Sequence, residues 1–270
     1  MAETEIKLLR TALNELADST NPDDEDVANL LSIALKIRDG QDIIYALKEQ
    51  EGSDHSKIQT PKYYPELSLE DELERQRVEI TNRVAVPLGM DRNVCLSSLP
   101  TRFPDRPAVY NKLHLTTPLI VPQFESLGFS WLQVVEGLNF YVYSGLKDAA
   151  NNGQLNLWKD QRRGAKPFPK APYTVWVQDG SRYVNRKPVD VRKELEREER
   201  AGNHWQGLAL AMLRPDMLQN KYWDLIGGSV GSGSVPSVYW GGQPEFGCDW
   251  VDGADPGFRS LVCGSEFIVA

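Results

Sequence analysis

The residues whose types and spacing bear on chemistry gather late in the chain. Gly227-Gly228-Ser229-Val230-Gly231 spells G-x-S-x-G, the pattern of a hydrolase nucleophile elbow. That chemistry needs the serine on a strand-to-helix turn, followed by an acid and then a histidine. No helix is readable after Ser229, and all three histidines, His55, His114 and His204, precede it. A hairpin turn of small residues accounts for the same letters. The run also lacks the Gly-Lys-Ser/Thr ending of a P-loop and the helix-opening G-x-G-x-x-G of a dinucleotide site.

Cys248, Asp249, Cys263 and His204 are the set from which a thiol nucleophile and its base can be assembled, provided they meet in space. The competing reading makes both cysteines small core residues on neighbouring strands. Hairpin strands can also bring Cys248 and Cys263 within disulfide range. Asp249, Asp252 and Asp255 place three carboxylates in a glycine-rich loop, but not at EF-hand spacing, and aspartates are ordinary turn formers. With no paired His and no Cys-x-x-Cys, the sequence assigns no metal and no cofactor.

Lys159, Arg162, Arg163, Lys166 and Lys170 form one local basic run, with Trp158, Phe168, Tyr173 and Trp176 interleaved. Base-stacking rings beside cations suit single-stranded nucleic acid or an anionic ligand. A solvated loop between a helix and a strand is the plainer reading. Tryptophan offers large apolar area with one donor, so Trp240 and Trp250, with Arg162 and Arg163, are the candidate ligand contacts.

The elements that must position these groups are of two kinds. Residues 4–18 space Ile6, Leu9, Leu13 and Leu16 as one helical face. An acidic start at 23–26 opens a second helix that ends at Gly40, and a third, short one follows. Ser68-Leu69-Glu70-Asp71 resembles a capping box opening a charged helix to about residue 83. Prolines 87, 100, 104, 107, 118 and 122 then break the chain into short elements. The spacing predicts a strand at 119–121 and leaves 129–143 open between helix and strand. It reads 145–158 as helical and predicts strands at 173–177 and 182–185. Helices are expected over 189–201 and 205–213. Strands are expected at 223–230, 235–240, 245–251 and 258–262, separated by Gly-rich turns.

Composition narrows the class. The chain has 270 residues, 41% hydrophobic and 25% charged, which suffices for a core without disulfide staples. Residues 1–80 hold 9 Lys/Arg against 19 Asp/Glu, a balance of −10, while the remainder holds 21 against 19, or +2. An acidic chain has no footprint for non-specific DNA binding, so nucleic acid is a third-ranked partner. No secretory signal or membrane-spanning stretch is readable, and three widely spaced cysteines read as free thiols of a cytoplasmic protein.

Within the last hundred residues a further pattern stands out. It comprises Pro172-Tyr173, Asp179-Gly180, Asn185 with Pro188, Gly207-Leu208-Ala209-Leu210, and Leu225 through Gly228-Ser229. It continues with Val235-Pro236, Trp240, Pro244, Gly247, Trp250, and Gly257 with Ser260 and Cys263-Gly264. In these letters the region resembles an uncharacterised, mainly actinobacterial domain family. The resemblance implies a bacterial-type intracellular protein with an α+β C-terminal region, and it supplies no catalytic residue. The acidic N-terminus lies outside it.

Together these readings give an α+β fold: an acidic helical segment at 1–60, then an α+β domain at 61–270 ending in an antiparallel β meander. The first functional expectation is a cytoplasmic ligand- or protein-binding module that self-associates or meets partners through its N-terminal helices. The second is an enzyme with a cysteine nucleophile on the C-terminal sheet. The third is nucleic-acid or anion binding through 159–170.

Overall fold

In the computed structural model, which describes residues 67–162, 164–253 and 257–270, the apolar run Tyr173–Gln178 is the buried centre of a sheet. The helices expected within 1–60, and the contact role given to them, lie outside the described residues. The helices are α1 (Leu69–Val84), α2 (Arg92–Ser97), α3 (Val109–Lys112), α4 (Trp131–Gly137), α5 (Ser144–Asn151), α6 (Pro188–Glu194) and α7 (His204–Leu213). The strands are β1 (Leu115–Val121), β2 (Tyr141–Val142), β3 (Leu155–Leu157), β4 (Tyr173–Gln178), β5 (Glu199–Ala201) and β6 (Tyr222–Asp224). They continue with β7 (Gly228–Val230), β8 (Ser234–Trp240), β9 (Pro244–Trp250), β10 (Phe258–Ser260), β11 (Val262–Gly264) and β12 (Ile268–Val269).

The first sheet is antiparallel throughout, in the order β1-β4-β11-β5, with β12 also on β4. α1 begins where Ser68 accepts a hydrogen bond from the Asp71 amide, and three acids in its first turn face the positive end of the helix dipole. Its narrow buried stripe includes Leu73, Gln76, Ile80 and Val84. Gln76 serves the edge of β1: its Nε2 donates to the Pro118 carbonyl at 2.8 Å, and its Oε1 accepts from the Ile120 amide at 2.7 Å. A covered edge cannot recruit a foreign strand.

The second sheet runs β10-β6-β8, with β9 along the full length of β8, β7 meeting β8 at Val230↔Ser234, β3 outside β7 and β2 outside β9. The expected antiparallel pairing holds for β6, β7, β8 and β9, with both β6 and β7 on β8. β10 lies parallel to β6, and its Phe258 stacks on Tyr222 at 5.0 Å. The chain then leaves this sheet at buried Leu261, whose amide donates to the Asp224 carbonyl and whose carbonyl accepts from the Gly202 amide. β11 therefore belongs to the first sheet. Across the second sheet Tyr141, Glu245, Tyr239 and Tyr222 stand opposite one another, ending at Phe258. The Glu245 carboxylate accepts from the hydroxyls of Tyr143 and Tyr239 at 2.9 and 2.7 Å.

Other boundaries move for local reasons. The helix expected over 189–201 is α6 followed by β5, because Glu199 and Arg200 are buried in a polar network rather than solvated. The segment 145–158 divides at Gly153, in the left-handed region at φ 67°, into α5 and β3. Residues 129–143 supply both α4 and β2. The stretch 182–185 is a turn with one bridge, Val184↔Arg259. The G-x-S-x-G run contains β7 and the start of the turn to β8, with no helix. A side chain at Gly227 would begin 2.2 Å from the Ala201 carbonyl oxygen, so close packing of two backbones explains the glycine.

α7 is the central helix. All ten of its residues are buried, and it packs against β1 of the first sheet and β8 of the second. A helix apolar on every side belongs inside a core, where each fully buried leucine contributes about 1.5–3 kcal/mol. Asn203 caps it reciprocally with Gln206, which fixes the start of the helix and hence the position of His204.

Candidate functional site

The start of α7 opens onto a cleft of about 340 Å³. Its wall comes from a 3₁₀ turn (Phe124–Leu127) and from α4, α5 and β3. The turn closes at Gly128, in the left-handed region at φ 86°, and sets Glu125 at the rim. Ser130 and Gln133 form a capping box that starts α4 and turns Trp131 inward. The Trp131 indole donates to the His204 carbonyl at 3.1 Å, and its ring meets the His204 imidazole edge-on at 5.7 Å. The neighbouring Trp205 indole donates to Glu125 Oε1 at 3.3 Å. Phe129, Leu132, Ala150 and Leu155 complete the lining.

His204 is the unusual member. It is 5% exposed, and its Nδ1 is buried with no hydrogen-bond partner. Burial pushes its pKa down to about 3, so the imidazole is neutral around pH 7. A neutral imidazole presents one donor and one acceptor, and an unsatisfied buried nitrogen costs roughly 1–3 kcal/mol. The wall thus holds one carboxylate, one neutral imidazole and the Ser130 hydroxyl among aromatic and aliphatic groups.

The other residues singled out by the sequence go elsewhere. Cys248 lies on β9 of the second sheet and Cys263 on β11 of the first, and both are free thiols, so the disulfide is ruled out. Cys263 is buried, its Sγ lies 3.2 Å from Gln206 Nε2, and burial pushes its pKa up to about 12. Burial and the neighbouring Asp249 also raise the Cys248 thiol above its ordinary value. Both shifts oppose the thiolate that a nucleophile requires. The partner of Cys263 is Gln206, not His204. Trp240 packs half-buried against the main core, whereas Trp250 is 71% exposed at the far end of β9.

Arg162 faces inward. It pairs with Asp160 at 2.7 Å and donates to the carbonyls of Leu195, Glu196 and Glu199. Arg163 lies outside the described residues. The rings in the basic run are taken by the protein's own guanidinium groups: Arg192 covers Trp158 at 4.9 Å, and Arg200 covers Phe168 at 5.5 Å. Nearby, the buried Glu199 carboxylate accepts from Gln178, Arg182, Tyr183 and the Glu196 amide. This network braces β5 against β4. Among the described residues no group of three His, Cys, Asp or Glu side chains is arranged to hold a metal, and no helix is long and apolar enough to cross a membrane.

Sequence reasoning named His204 but missed Glu125, Phe129, Ser130 and Trp131. The Ser130-x-x-Gln133 capping signal was available to start α4. Nothing in the spacing links Glu125 to His204, because the fold alone brings the 3₁₀ turn to the head of α7. No protein-family profile, curated protein or solved structure matches this chain.

Proposed function

We propose that this chain is a binding module for a small organic molecule held in the His204 cleft. One observation carries the reading: the buried His204 side chain lines a cleft of about 340 Å³ together with the rings of Phe129 and Trp131, the Glu125 carboxylate and Ser130. Concavities that bring rings and aliphatic groups together with a few polar side chains are where small ligands bind. Catalysis by a thiol has less support, because Cys248 and Cys263 both resist ionisation. A cytoplasmic setting accords with three free thiols. The bacterial-type, intracellular character implied by the C-terminal resemblance, and self-association through 1–60, belong to the same proposal.

The test is native mass spectrometry of the protein after exposure to a mixture of small bacterial metabolites, run beside Ala150→Phe. Ala150 lines the cleft on α5, so a phenyl group there fills it. A retained mass on the wild type that is lost from Ala150→Phe, at unchanged melting temperature, supports the proposal. Retention by both proteins, or by neither, counts against it.

A further inference from the structure

We propose that the ligand of the His204 cleft is a small organic cation, an ammonium or amidinium group on an aromatic or short aliphatic body. This rests on the cleft being the binding site. The charge of the wall points this way first: among the described residues Glu125 is its one carboxylate, and no lysine or arginine lines it. The Trp205 indole anchors that carboxylate at 3.3 Å, so the charge is held at the rim rather than free to swing into solvent. Phe129 and Trp131 bring rings to the lining, and aromatic rings attract cations.

Each feature disfavours the alternatives. An anion would meet Glu125 as a like charge, with no guanidinium to receive it. A neutral body would gain the apolar wall and leave the Glu125 charge uncompensated. A cation that leaves water meets the Glu125 carboxylate and the rings of Phe129 and Trp131. The volume, at the low end for ligand pockets, limits the body to about one ring with a short arm.

Three probes of one shape separate these cases: 2-phenylethylamine, 2-phenylethanol and 3-phenylpropionate, titrated calorimetrically at neutral pH. The amine is expected to bind about tenfold tighter than the alcohol, and the propionate more weakly than either. Glu125→Gln, at an exposed position, should bring amine and alcohol to within about twofold by weakening the amine. Equal binding of amine and alcohol, tighter binding of the propionate, or an amine advantage that survives Glu125→Gln would overturn the cation preference and leave the cleft reading standing. Binding of none of the three would sink both.

Discussion

The pH dependence of stability follows from His204. Its pKa is about 3 in the fold, against an ordinary value of 6.5. The folded chain therefore keeps this imidazole neutral where the unfolded chain protonates it. Between pH 6.5 and pH 3 the unfolded state binds the extra proton, so stability is complete above 6.5 and is lost as the pH falls through that window. The full shift of about 3.5 pH units corresponds to roughly 5 kcal/mol, and about 2 kcal/mol of it is already lost between pH 7.5 and pH 5. His204→Gln removes this proton site while keeping a side chain of similar reach. Urea unfolding of both proteins across that range cancels every titration they share. The wild-type midpoint should fall more than the variant's by on the order of 1 M urea. Parallel pH dependences would refute the buried, neutral imidazole.

Further outcomes follow from packing and the polar network. Gly227→Ala would drive a methyl group into the Ala201 carbonyl, a backbone atom that cannot step aside, and should abolish the soluble folded protein in an expression trial. Gly207→Ala meets the flexible end of Leu225 at 2.5 Å, so its expected cost is about 1–3 kcal/mol by urea unfolding. Glu199→Ala leaves Gln178, Arg182 and Tyr183 without their shared acceptor, and calorimetry should show a loss of about 3–5 kcal/mol, roughly 10 °C in melting temperature. Iodoacetamide on the native protein should modify Cys248 alone, slowly, with Cys95 and Cys263 reacting only after unfolding; intact-mass analysis reads the count.

Local signals were legible where local physics decides. Ser68 and the acids after it mark the start of α1, Trp205 through Leu213 read as an apolar helix, and β8 and β9 emerge as strands around a Gly-Gly turn. Long-range decisions were not. The charged letters Glu199 and Arg200 look like a helix surface, and only the partners brought by β4 and Asp160 make them strand residues. The chain from 258 to 262 reads as one strand, yet Leu261 passes it from one sheet to the other by hydrogen bonds to Asp224 and Gly202. The cleft was hidden for the same reason. His204 was visible as a titratable group, but its burial and the approach of Glu125 and Trp131 depend on packing between elements some eighty residues apart.

The most direct measurement is the indole N–H region of a ¹⁵N-labelled NMR spectrum during titration with 2-phenylethylamine. Trp131 and Trp205 carry their indole protons to the His204 carbonyl and to Glu125, so both report from the cleft wall. Trp176 and Trp223 donate to Pro104 and Met217 and report from elsewhere. The account predicts that the first pair shifts along one saturation curve while the second pair stays still. Fixed Trp131 and Trp205 signals at millimolar amine, or shifts shared equally by all four, would contradict it.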